Sequence, residues 1–383
     1  MAWAITDAKL LNASTNGELQ IIENATIIME DGKICAVGVG TTPPDNCNQV
    51  NARGSYVLPG LVDPCTRLGV REEGHGPVGR DDEEDEKDLN PTLKALDAAW
   101  PEDTGFADAR KSGVTTVGVL PGTKTVVSGQ ASIFKTFGNT VNEMCIDDSW
   151  ALRINISKAS SLTPAGAVRQ IRRALVQTRH KMKHSKDACC DSDDELSPGD
   201  RIWPRVLSKD ITLLCRADDF RDILNICELQ EEFDLDVVIE RLTEGYYATD
   251  ELSCSPCSVV IGPLLLNRRG HTRSTSLRTP KIVVEEAQVP VALTTDHPTM
   301  HIDHILVAAA VAHSRGLSEG HALAAVTSVP AKILGLQDRV GSVEVGKDAD
   351  VAMYSGHPFE TESVVTHLFI DGHPVELEEG SNN

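Results

Sequence analysis

The segment Asp296-His-Pro-Thr-Met-His-Ile-Asp-His304 concentrates proton and metal chemistry in one short stretch. Asp296 can take a proton or hold a cation, and His297, His301, Asp303 and His304 add imidazole and carboxylate donors. On a helix, the i, i+3 spacing of His301 and His304 puts both on one face. Such a cluster fits a metal site, and equally the commoner duty of satisfying exposed backbone groups where a helix starts. A second focus is Tyr56-Val-Leu-Pro-Gly-Leu-Val-Asp-Pro-Cys-Thr-Arg-Leu-Gly69, an apolar strand punctuated by Pro59-Gly60 that ends in Cys65 and Arg67. A guanidinium beside a thiol favours the thiolate, so Cys65 could be reactive, although no partner base is assigned. Cys254-Ser-Pro-Cys257 and the adjacent Cys189-Cys190 offer thiols at a spacing that is not standard for zinc. Cys35, Cys145, Cys215 and Cys227 fall on apolar stretches and read as core. In Ser128-Gly-Gln-Ala131, Gly129 permits a ligand to approach the backbone beside Gln130, with Lys135 close behind. The plainer reading is a turn followed by a solvated lysine.

Such side chains need a scaffold, and the chain is long enough to supply one. With 383 residues, 40% of them hydrophobic, it accommodates one large α/β barrel and a small companion domain. Thirty-six basic against 57 acidic residues leave a net charge of −21, which argues against nucleic acid or an anionic membrane as partner. No basic run followed by an apolar segment opens the chain, and no window approaches ~18 uninterrupted apolar residues. A soluble, cytoplasmic protein is expected, its ten cysteines reduced.

Short strands separated by turns occupy both ends. Asp31-Gly32 and Asp371-Gly372 lie between apolar runs and predict hairpins. Paired, the two termini would form one small composite β-sandwich domain from residues 1–57 and 338–383. Between them, residues 58–337 alternate strand-like runs, such as Gly113-Val-Thr-Thr-Val117 and Ile211-Thr-Leu-Leu-Cys215, with helical ones, such as Phe220 to Phe233. That alternation predicts a TIM-like (β/α)8 barrel of about eight strands; a doubly wound open sheet competes, without a glycine-rich fingerprint to favour it. The charge runs within Glu72 to Asp88 and Ser185 to Asp200 read as solvated surface insertions.

Tyr56 to Gly69, Ser328-Val-Pro-Ala-Lys-Ile-Leu-Gly-Leu336 and Asp338-Arg-Val-Gly-Ser-Val-Glu-Val-Gly-Lys-Asp-Ala-Asp350 together resemble the amidohydrolase superfamily. Thr243-Glu-Gly245 and Thr294-Thr-Asp-His-Pro298 are similar to its imidazolonepropionase-like branch. The resemblance runs in order along nearly the full length. It implies a metal at the carboxyl end of the barrel, held by a His-x-His pair after the first strand, a lysine from a middle strand, histidines after the fifth and sixth strands and an aspartate after the eighth. Asp296 stands at the aspartate position as catalytic base. Cys65 and Arg67 stand where the first pair belongs, Arg216 and Asp218 at the next position, Arg241 beside Glu240 at the third, and Arg153 in place of the lysine.

Guanidinium has no lone pair to donate and stays protonated, so each such exchange removes a ligand and repels a cation. The expectation is therefore a family member whose C–N hydrolysis site is degenerate: a non-catalytic binding or oligomer-forming homologue with no cofactor. A small anionic or cyclic amide ligand would meet Arg67, Gln130, Lys135, Arg216, Arg241 and His297. The alternative is an active hydrolase of a cyclic amide or related C–N bond, with a divalent zinc-like metal held by Cys65, Asp218 and Asp296. A homo-oligomer is expected in either case. A purely structural partner protein, interacting away from the barrel mouth, is the third class.

Overall fold

The computed structural model describes residues 2–72, 74–84, 89–157, 162–187 and 198–377. Cys189, Cys190 and the acidic residues around them lie outside the described residues, as do 85–88 of the first charge run. Among the described residues, no helix is long and apolar enough to cross a membrane.

Strands β1 (Trp3–Ala13), β2 (Leu19–Glu30), β3 (Lys33–Val39), β4 (Asn48–Asn51) and β5 (Tyr56–Pro59) come from the amino end. Barrel strands β6 (Leu61–Thr66), β7 (Val114–Val119), β8 (Val127–Lys135), β9 (Cys145–Asn155), β10 (Thr212–Ala217), β11 (Val237–Arg241), β12 (Ser258–Ile261) and β13 (Val291–Leu293) follow. The carboxyl end adds β14 (Val351–Tyr354), β15 (Val365–Ile370) and β16 (His373–Val375). The termini build one eight-stranded sheet in the order β16-β15-β14-β5-β1-β2-β3, with β4 beside β1. Its seam is β14 against β5, antiparallel from Val351↔Pro59 to Tyr354↔Tyr56. The two Asp-Gly turns carry positive φ at both residues, 50° and 79° at Asp31-Gly32 and 48° and 72° at Asp371-Gly372, matching the twist of the strands they join.

The second sheet runs β6 to β13 in sequence order, and β13 packs against β6, so it curls into a barrel rather than the open doubly wound alternative. Asp63 latches that closure. It accepts from Thr294 Oγ1 at 2.5 Å, from the Thr295 amide at 2.9 Å and from Thr295 Oγ1 at 2.6 Å. Period-2 alternation divides the side chains: Leu213 and Cys215 of β10 face the surrounding helices, whereas Leu214 joins Val62, Val238, Val260 and Ala292 inside.

The expectation of strict strand and helix alternation needs one correction. β8 pairs antiparallel with both β7 and β9, because only residues 120–126 separate it from β7, too few for a helical crossover. Reversal carries the end of β8 to the opposite face of the barrel from the ends of its neighbours.

Candidate functional site at the barrel mouth

Counted around the barrel, β6 is the first strand, β9 the fourth, β10 the fifth, β11 the sixth and β13 the eighth. Arg67 follows β6, Arg153 lies on β9, Arg216 and Asp218 end β10, Glu240 and Arg241 end β11, and Asp296 follows β13. Inward alternation brings these side chains together. Arg216 stands opposite both Asn155 and Glu240 in register.

Four guanidinium groups meet four carboxylates there. Arg153, 1% exposed, donates to Glu240 through Nε at 2.7 Å and approaches it through NH2 at 2.6 Å; it also donates to the Pro121 carbonyl. Asp296 lies 3.3 Å from Arg67 and 3.0 Å from Arg241, and accepts from Thr299 Oγ1 at 3.0 Å. Asp218 lies 3.4 Å from Arg216 and 3.5 Å from Arg241, and accepts from Thr243 Oγ1 at 2.8 Å. Asp82 lies 3.6 Å from Arg67. Burial acts to raise the Asp296 carboxyl, but Arg67, Arg241, Arg216 and Arg153 outweigh it and hold the group below its ordinary range. A buried network of this kind survives only where each charge is matched.

The residues present do not fit a metal centre. A zinc-like ion needs donors with available lone pairs in a near-tetrahedral set, and the charged groups that contact Asp296 and Asp218 are guanidinium groups, which offer none. The Cys65 thiol is buried and pushed well above the ordinary range, first by burial and then by Glu240, which disfavours the free thiolate that Arg67 was expected to favour. Arg67 spends its guanidinium on Asp296, Asp82 and Thr299 Oγ1 instead.

Other expected site residues lie elsewhere. Gln130 donates to the Pro91 carbonyl at 2.8 Å and accepts from Ser149 Oγ at 2.5 Å, and its register partner Leu152 faces the outer helices, so it points out of the barrel. Lys135 is neither at the mouth nor solvated. Because β8 runs backwards, its amine is buried at the join with the terminal sheet, 3.1 Å from Asp348, 2.7 Å from Asp350 and 3.1 Å from Asp371. His297 is wholly buried, and its Nδ1 accepts from the Ile302 amide at 3.2 Å. Burial, then His301 and Arg67, push it down to about 3, which favours the neutral ring. His301, Asp303 and His304 turn toward the surface. Cys254 and Cys257 are free thiols.

Two contributors were hidden in the sequence. Asp82 belongs to a charge run read as solvated, yet it is 4% exposed against Arg67. Beside it Glu83 accepts from the amides of Thr123 and Lys124 at 3.2 and 3.0 Å, fastening that loop over the mouth. No local pattern marks either residue among its acidic neighbours. Above the network a cavity of about 500 Å³ is lined by Asn155, Ser157, Arg216, Asp218, Asp222 and Arg273, among others. Arg216 is the least buried of the four network arginines, its side chain 12% exposed. Burial, softened by the Ser157 hydroxyl, raises Asp222 to about 6.

Residues 250–375 match the model of the amidohydrolase family. Over 98% of this chain, the fold superposes on 99% of an amidohydrolase from Thermotoga maritima MSB8, with a TM-score of 0.91 and 31% identity. Amidohydrolase tasK of Hapsidospora irregularis is 23% identical over 392 residues, covering 92% of this chain but 39% of that protein. An imidazolonepropionase of Staphylococcus aureus (strain Newman) is 37% identical over 67 residues, 17% of this chain and 16% of that enzyme. The chain therefore matches well under half the length of these two curated relatives.

Proposed function

We propose that this chain, which belongs to the amidohydrolase family, binds a small carboxylate-bearing molecule at its barrel mouth and does not hydrolyse C–N bonds through a metal. The observation that carries this reading is the clasp of Asp296 between Arg67 and Arg241. Metal-assisted hydrolysis asks that aspartate to touch a cation and take a proton from water. Here both of its oxygens face guanidinium groups, and its depressed pKa makes it a poor base. A dication beside Asp296 would sit within about 4 Å of each guanidinium, a repulsion of about 8 kcal/mol apiece at an effective dielectric of about 20.

Two guanidinium groups of the cavity wall, beside Asp218, Asp219 and Asp222, can receive an anion. Arg216 reaches Asp218 through Nε and lines the cavity together with Arg273, a pair suited to recognising a carboxylate in two-pronged fashion. Asn155 and Ser157 on the same wall supply amide and hydroxyl groups for a polar remainder such as a cyclic amide. Calorimetric titration with a panel of small carboxylates and cyclic amides, run beside hydrolysis assays with and without added zinc, tests the reading. Binding of a carboxylate without turnover, weakened at least tenfold in Arg216→Met, is expected. Zinc-dependent turnover abolished by Asp296→Asn would overturn it.

A further inference from the structure

Outside the barrel, the turn Ile302–His304 gathers a separate donor set. The ligand atoms of His301, Asp303 and His304 all lie within 4.8 Å of one another. His301 Nδ1 is 2.9 Å from Asp303 Oδ1, and His304 Nδ1 faces the same oxygen from the other side. We propose that this turn is a binding site for a zinc-class divalent ion, held by Nδ1 of His301, Nδ1 of His304 and the Asp303 carboxylate, and independent of the barrel mouth.

Asp108, on the helix Thr104–Lys111, supplies the second observation. Its Oδ2 lies 3.6 Å from His301 Nε2, the nitrogen opposite the one that faces Asp303. Without an ion, Asp303 Oδ1 competes for the imidazole proton on Nδ1; with an ion on Nδ1, the proton would sit on Nε2, toward Asp108. Metal-bound histidines are oriented by the same kind of outer partner. His301 also rests edge-on against His297, ring centroids 5.4 Å apart, which limits its freedom to turn away. Two imidazoles and one carboxylate suit zinc, cobalt or nickel and not magnesium or calcium, which prefer all-oxygen shells. With side-chain exposures of 30% at His301, 46% at Asp303 and 49% at His304, the site opens to water, which would complete a four-coordinate shell. No arginine is among the donors, in contrast to the barrel mouth.

Metal uptake by the full chain tests this directly. His180 and His184, whose rings stack 6.5 Å apart one helical turn away from each other, form another exposed imidazole pair, so the measurement uses a His180→Gln/His184→Gln background. Zinc is titrated calorimetrically after chelator treatment and dialysis, and cobalt uptake is followed by its visible ligand-field absorption. One ion per chain is expected. His304→Gln should abolish stoichiometric uptake, and Asp108→Asn should weaken it about tenfold or more without altering the circular dichroism spectrum. Absence of one-to-one uptake, or uptake that persists when His301 and His304 are both glutamine, would overturn the proposal.

Discussion

Arg241 donates to Asp296 across 3.0 Å, and both residues hold left-handed backbone conformations, φ 79° and 48°. Each such conformation costs about 1 kcal/mol or more for a residue with a side chain. The strands β11 and β13 therefore end in strained turns that aim a cation and an anion at each other. The ion pair offsets that strain only while both partners remain.

Removing one partner should thus cost more than removing the network. Asp296→Ala leaves Arg67 and Arg241 buried beside each other, and a loss of about 3–5 kcal/mol is expected in urea unfolding. A change that also removes the partner of Arg67, Arg67→Met/Asp82→Leu/Arg241→Met/Asp296→Leu, leaves Asp218 with Arg216 and should recover most of it. Equal loss in that variant would show that the charges themselves stabilise the barrel.

Acid titration should separate Asp296 from its neighbours. Its folded pKa is depressed, so the folded state holds fewer protons than the unfolded one just below the ordinary carboxylate value of about 4. The stability it contributes is complete above that value and lost as pH falls through the lower folded value. Asp63 and Asp222, both raised to about 6 chiefly by burial, have the opposite sign: stability linked to them declines as pH rises from about 4 to about 6. The difference in unfolding free energy between the native chain and Asp296→Asn should be flat from pH 5 to 8 and shrink on further acidification. A difference that shrinks instead between pH 5 and 7 would contradict the depressed value.

Lys135 should behave as a clamp between the barrel and the terminal sheet. Burial works against its charge, but Asp350, Asp371 and Asp348 more than compensate and raise its pKa. Lys135→Met leaves buried Asp348 and Asp350 without that amine and should cost about 3–5 kcal/mol. Ligand affinity at the barrel mouth should stay unchanged in that variant, since the lysine lies at the other end of β8; a large change in affinity would place its influence at the mouth after all.

Gly118 on β7 is required by contact. A Cβ there would collide with the carbonyl oxygen of Pro64, in the irregular stretch of β6 that leads to Cys65 and Arg67. Gly118→Ala should lower the melting temperature by several degrees and disturb Arg67, read as weaker ligand binding. An unperturbed melting temperature would mean that β6 yields freely.

The barrel was legible because its strands are apolar runs bounded by turns, and the terminal sheet because Asp31-Gly32 and Asp371-Gly372 announce their hairpins. β8 was less so. Ser128, Gln130 and Lys135 interrupt it with polar groups that are all buried and paired in the folded chain, a compensation that only tertiary neighbours supply. The gathering of arginines at the mouth could be read from Arg67, Arg216 and Arg241, but their counter-charges could not be read fully. Glu240 faces Arg216 in the strand register, and Asp218 and Asp296 follow the ends of β10 and β13, whereas Asp82 reaches Arg67 from a loop whose acidic run gives no sign of which carboxylate turns inward.

The closure of the barrel mouth by ion pairs is tested most directly by zinc-edge anomalous scattering from crystals grown without chelator and soaked in zinc. No peak is expected within coordination distance of Asp296, whose oxygens should remain 3.0–3.3 Å from Arg241 and Arg67. A strong peak about 2.0–2.2 Å from an Asp296 oxygen, with the two guanidinium groups swung aside, would contradict it.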